Sequence, residues 1–148
     1  MRVYLDVCCL NRPFDDQSQE RIRLESDAIE SIFRLIQKGK CLWIVSDSVL
    51  REINANPDEE SRNKVRALLR WADESIALSE ATSRRAGDLI ALGFGAMDAL
   101  HVAFSESSGC IACLTTDDGL LKLGKRWIHE LAVRVENPVT WLAEVVAR

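Results

Sequence analysis

Short apolar strands alternating with segments of helical period predict an α/β domain built on a largely parallel sheet. Three observations carry this reading. The chain has 148 residues, the length of one domain (1–148), and 47% of them are hydrophobic, enough for a sizeable core. Its apolar residues fall in short runs, none longer than the five residues of 41–45 and 110–114. Between these runs apolar residues recur at helical spacing, bracketed by capping residues and glycines.

Taken in order, residues 2–5 form an extended run ending at Asp6, and residues 7–10 continue apolar to the turn-like Asn11-Arg12-Pro13. From residue 20 to 38, Ile22, Ile29, Ile32, Phe33, Leu35 and Ile36 mark one face of a helix that Gly39 closes. Residues 41–45 read as a compact strand. Ser46, Asp47 and Ser48 offer N-caps for a helix through Ile53, which Asn56-Pro57 ends. Residues 59–72 read as another helix, followed by an extended piece over 76–78. Ser79 caps a helix running to 92, Gly93 and Gly95 interrupt it, and a further helix covers 96–106. Residues 110–114 are a strand, Asp117 opens a helix, and 132–135 form the last strand. Pro138 stands where a first-turn proline belongs, ahead of a closing helix over 141–146.

Several classes are excluded by composition. A membrane helix needs ~20 apolar residues, far more than any run here, so no membrane association is expected. Asp6 interrupts the N-terminal apolar stretch, which argues against a signal peptide and for a cytoplasmic location. Net charge is −4 and the sequence pI is near 5.2, which argues against binding nucleic acid through a broad basic patch. The five cysteines all lie in apolar runs, where a free thiol behaves as a small buried hydrophobe. Cys110 and Cys113 have a metal-ligand spacing, but their flanks read as a buried strand and no second pair completes a zinc site.

In a parallel sheet the ligand crevice lies past the carboxyl ends of the strands. Asp6 directly follows one predicted strand, and Asp117 follows Leu114-Thr115-Thr116 at another. Glu52 lies two turns into a short helix beside Val49 and Ile53. Asp98 is the only charged residue between Gly93 and Ser105, in a helix apolar nearly all round, where a carboxylate needs a partner or a proton. Taken singly, Asp6 reads as a turn residue, Asp117 as an N-cap and Glu52 as a solvated helix residue. Together they would repel one another by several kcal/mol unless a cation neutralised them. Oxygen-only ligands select Mg²⁺ or Mn²⁺ over Zn²⁺, and one or two such ions suit phosphodiester hydrolysis.

The opening Val-Tyr-Leu-Asp-Val-Cys-Cys-Leu-Asn-Arg-Pro-Phe-Asp-Asp, the segment Ser46-x-x-Val49-x-x-Glu52, the segment Met97-Asp98-Ala99-Leu100-His101-Val102-Ala103 and Leu114-Thr115-Thr116-Asp117 resemble the motifs of PIN-domain nucleases, in family order across nearly the whole chain. The resemblance implies a three-layer fold with about five largely parallel strands flanked by helices, and a metal-dependent ribonuclease site. It carries the acidic metal-site and catalytic roles to Asp6, Glu52, Asp98 and Asp117, with Mg²⁺ or Mn²⁺ as one or two bound ions. A stand-alone domain of this length is similar to VapC-type toxins, which implies an RNA substrate and a small antitoxin protein as partners; a homodimer is compatible with it.

The family often has Thr or Ser directly after the first Asp, where this chain has Val7. Thr115, Thr116 and Asn11 are the candidates to replace that hydroxyl, and Arg12, Asn11 and Thr115 are the expected substrate-binding residues. His101 reads as a hydrogen-bonded core residue, and the four tryptophans as core or oligomer contacts. Asp117 is favoured over Asp118 by the Thr-x-Asp spacing. The alternative to a nuclease is a catalytically silent PIN-like module for RNA binding or assembly, which Val7 favours and the acidic tetrad opposes. A phosphoryl-accepting receiver domain needs paired acids after the first strand and a late-strand Lys, which are not arranged here.

Overall fold

Val3, Tyr4 and Leu5 are buried, so the strand they form, β1 (Arg2–Leu5), is covered on both faces. Such a strand belongs in the middle of a parallel sheet. It occupies that place in the computed structural model, which describes residues 1–147. On one side β1 pairs with β2 (Leu42–Ser46) and on the other with β4 (Ala112–Leu114), with Val3 opposite both Trp43 and Ala112. β3 (Glu74–Ile76) lies beyond β2, and β5 (Arg134–Glu136) beyond β4. The described residues thus form a five-stranded sheet, all parallel, in the order β3-β2-β1-β4-β5. The chain winds outward through β2 and β3 and then crosses back to β4. The strand order therefore reverses between β1 and β4, where a crevice opens past their carboxyl ends.

Helices flank the sheet to make a three-layer α/β fold: α1 (Val7–Asn11), α2 (Glu20–Gln37), α3 (Asp47–Asn54), α4 (Glu59–Leu68), α5 (Glu80–Ala91), α6 (Ala96–Ser107), α7 (Asp118–Arg126) and α8 (Pro138–Val146). Four of them start almost as soon as a strand ends. Asp6, Ser46, Asp117 and Asn137 each turn a side-chain oxygen to a free amide of the next helix, accepting from Val7, Val49, Leu120 and Val139. This brings the ends of β1, β2 and β4 and the starts of α1, α3 and α7 to one edge of the sheet. α7 can lie close against β5 because residue 124 is glycine: a Cβ there would stand 2.6 Å from the Val135 Cβ. Trp43 and Trp141 fill the core, and Phe33 meets Trp43 edge-on at 5.2 Å between ring centroids. The five cysteines are free thiols, and Cys9, Cys41, Cys110 and Cys113 are buried. Among the described residues no helix is long and apolar enough to cross a membrane.

Several expected boundaries move, each for a local reason. Residues 7–10 do not extend β1 but enter α1, because Asp6 caps the chain there; the turn at 12–14 is then a single 3₁₀ turn. The helix expected over 59–72 stops at Leu68 and tightens into 3₁₀ geometry over 69–71. β3 lies two residues before the expected 76–78, since Ile44 and Ser46 of β2 pair with Glu74 and Ile76. β4 begins at Ala112 rather than 110, after Gly109 turns the chain with φ +69°. The last strand is 134–136 rather than 132–135, and the closing helix starts at Pro138 itself. As expected, Gly39 ends α2 in the left-handed conformation, φ +71°.

Candidate active site

Asp6 is buried at the end of β1, and both its carboxylate oxygens are held. Oδ1 accepts from the Val7 amide at 2.7 Å, and Oδ2 accepts from the Thr115 hydroxyl at 3.0 Å. The Thr115 oxygen in turn accepts from the Asp117 amide at 3.1 Å. Thr115 thus supplies to the first aspartate the hydroxyl that Val7 cannot. Of the other two candidates, Thr116 meets the site through its backbone, and Asn11 lines a separate depression with Phe14, Asp15, Asn56 and Ser61. Cys8 also faces the site, its thiol 3.4 Å from Asp6 Oδ2. A hydrogen bond with Cys9 holds the Cys8 pKa below the ordinary thiol value.

Glu52 reaches the same place from α3. Its Oε1 lies 2.7 Å from His101 Nε2, and that nitrogen is 3.7 Å from Asp6 Oδ1. His101 is buried on α6, and its Nδ1 lies 2.6 Å from the Tyr4 hydroxyl. Tyr4 then meets the Ser46 hydroxyl at 2.7 Å, and Ser46 caps α3, the helix that carries Glu52. Burial disfavours the imidazolium, but the carboxylates of Glu52, Asp6 and Asp98 outweigh it and raise the His101 pKa. One donor atom each from Asp6, Glu52 and His101 lie within 4.8 Å of one another, close enough to share one cation. Sequence reasoning left His101 out of the ligand set. Its spacing, one turn after Asp98 and on the same helix face, was the available signal.

Asp98 stands in the first turn of α6, which begins at Ala96. It is half-buried rather than enclosed, because the buried positions of this helix start at Ala99. No described residue donates a hydrogen bond to its carboxylate. Burial first, and then the charges of Asp6 and Asp117, push its pKa up to about 6, while the helix N-terminus favours the ionised form. The four expected acids therefore share one electrostatic field, although Asp98 and Asp117 do not join the tight group of three.

Asp117 is exposed at the entrance to α7, where one oxygen caps the helix by accepting from Leu120 at 2.9 Å. Capping and metal binding are compatible, since a carboxylate has about four lone-pair sites. Asp118 is engaged elsewhere: Arg21 holds it with two hydrogen bonds, of 3.0 and 2.9 Å, which lower its pKa. Arg21 also donates to the Thr116 carbonyl. Arg12 and Arg21 border a groove of about 370 Å³ together with Cys8, Thr116 and Asp117. Within it the Arg12 guanidinium faces the buried Glu25 at 3.1 Å and Asp15 at 3.1 Å.

No protein-family model matches the sequence, and none of the curated proteins does. Among solved structures, a chain of VapBC2 from Rickettsia felis, crystallised bound to a DNA fragment from their promoter, is similar with a TM-score of 0.59 at 14% identity. The match covers 93% of this chain and 98% of that one. PAE2754 from Pyrobaculum aerophilum is similar with a TM-score of 0.58 at 13% identity, over 100% of this chain and 91% of that one. The protein has a PIN-like fold. At these identities the likeness speaks for the fold, and the PIN-like sheet sets the acids of this chain at its switch point, where such sheets bind ligands.

Proposed function

We propose that the protein is a metal-dependent endoribonuclease, a hydrolase of RNA phosphodiesters, acting as the toxin of a toxin–antitoxin pair. The observation that carries the reading is the convergence of donor atoms from Asp6, Glu52 and His101 at the sheet's switch point, beside Asp98, whose pKa burial and the charges of Asp6 and Asp117 raise to about 6. Four carboxylates in one field, one of them without a hydrogen-bond donor, fit a divalent cation in their chemistry. Asp6, Glu52, Asp98 and Asp117 would hold it, and 1–148 would act as a single nuclease domain.

A bound ion would lower the pKa of water and neutralise charge at the departing oxygen. The chain's own part is orientation. The Val7 amide and the Thr115 hydroxyl fix the Asp6 carboxylate, His101 fixes Glu52, and the α7 cap fixes Asp117. The hydroxyl on Asp6 also removes the reason for preferring a silent module. Similarity to a chain of a VapBC2 complex supports a small antitoxin protein as partner, and a cytoplasmic setting goes with that role.

The test is cleavage of a single-stranded RNA by purified protein. Cutting should require Mg²⁺ or Mn²⁺ and stop with a chelator. Cutting that survives chelation would reject the metal-dependent mechanism.

A further inference from the structure

His101 differs from a buried histidine that merely fills space. Its Nε2 is aimed between two carboxylates, 2.7 Å from Glu52 Oε1 and 3.7 Å from Asp6 Oδ1, while its surface is almost wholly buried. Ligands of one ion at a distance of ~2.1 Å stand about 3 Å apart when adjacent and about 4 Å apart when opposite. Two of the separations here, 2.7 and 3.7 Å, lie near that spacing, and all three donor atoms lie within 4.8 Å of one another, so small shifts would let them share one ion. The far side of the ring is fixed in the way metal-bound imidazoles are fixed. In the ion-free protein Nε2–H donates to Glu52, the Tyr4 hydroxyl donates to Nδ1, and the Ser46 hydroxyl donates to Tyr4 while its oxygen accepts from the Val49 amide. A bound ion would take the place of the Nε2 proton; the ring would then carry its proton on Nδ1 and donate it to the Tyr4 hydroxyl, which would still hold it from the far side.

We propose that His101 gives its Nε2 to the bound ion beside Asp6 and Glu52, so that the centre is a mixed nitrogen–oxygen site that takes Mn²⁺ in preference to Mg²⁺. The proposal rests on the metal-dependent reading above and specifies it. Mg²⁺ favours oxygen donors, whereas an imidazole nitrogen strengthens binding of first-row transition ions. The nitrogen also changes the oxygen-only donor set expected from the sequence. Tyr4 and Ser46 are positioning residues in this account, acting through the ring.

Pulsed electron paramagnetic resonance of Mn²⁺ bound to the full chain is the test, because it reads the ligand and not the activity. The chain has two histidines, and the second, His129, is exposed. In an H129Q protein any histidine nitrogen signal therefore belongs to His101. The expected result is modulation from a directly bound nitrogen that changes when histidine is labelled with ¹⁵N. The H101Q protein should lose that signal and bind Mn²⁺ about tenfold more weakly, with Mg²⁺ affinity changed much less. Labelling keeps the test decisive even where H101Q fails to fold. Bound Mn²⁺ without nitrogen coupling would overturn the proposal and leave the nuclease reading standing. Failure of the wild-type chain to bind Mn²⁺ at all would overturn both.

Discussion

In the metal-free protein Asp98 carries a charge that its surroundings resist. Its pKa is about 6, against 3.8 for an ordinary aspartate. Below about pH 3 the group is protonated in both the folded and the unfolded chain and costs nothing. As pH rises from about 3 to 6 the unfolded chain ionises first, so the native state loses stability, by about 1–2 kcal/mol once solvent screening of this half-buried group is allowed for. His101 acts in the same direction. Its raised pKa means that stability present below the ordinary histidine value is lost as pH climbs through the folded one. Asp98→Asn should therefore melt about 2–6 °C higher than wild type at pH 7 without metal, and match it at about pH 3. A hundredfold excess of metal over Kd should stabilise the wild type by ~2.7 kcal/mol and the variant by far less. Four thermal melts check this, and a less stable metal-free variant would mean that Asp98 makes a favourable contact instead. At the neighbouring site, Asp117→Asn should lower cleavage about a hundredfold or more. Asp118→Asn should leave it nearly unchanged, because that carboxylate is occupied by Arg21. Equal losses in both would show that the two share the site.

Among the elements, the short links from strand to helix matter most for the site, and they also divide what the sequence shows from what it hides. Asp117, Ser46 and Ser79 are visible as caps because each precedes a helix long enough to show its period. α1 has only five residues, less than two turns, and its run of Val, Cys, Cys and Leu reads equally well as strand. β3 is an edge strand with two exposed residues, so no apolar pattern marks its register, and pairing with β2 sets it instead. The four acids were legible through their places after strands and in an apolar helix. The bond from Thr115 to Asp6 spans 109 residues and joins two neighbouring strands, so it was legible only as one choice among three. The half-exposure of Asp98 and the aim of His101 depend on where α6 begins and how it packs, which spacing alone does not fix. Thr115→Val, equal in shape but without the hydroxyl, should keep the fold while losing the bonds to Asp6 and Asp117. We expect it to cut RNA about 10–100-fold more slowly, as measured by single-turnover cleavage beside a thermal melt. Unchanged cleavage would show that the Val7 amide alone suffices to set Asp6.

At the scale of the whole molecule, the net charge of −4 is compatible with the proposed action on RNA, because four carboxylates share one field where a cation would offset them. The PIN-like sheet brings acids from β1, α3, α6 and the β4–α7 link to one edge, which no local segment could do alone. If the protein acts as a toxin, its expression without an antitoxin should arrest bacterial growth, and Asp6→Asn should restore it. Harmless expression of the wild type, confirmed as folded and abundant, would remove the toxin role and leave a housekeeping nuclease. The central claim, that this carboxylate cluster is a metal-dependent nuclease centre, is tested most directly by removing and restoring the metal. Wild type stripped with a chelator should not cut single-stranded RNA, should cut it again on adding back Mn²⁺, and Asp6→Asn should stay inactive throughout. Cleavage by the stripped protein, or by Asp6→Asn at the wild-type rate, would contradict the account.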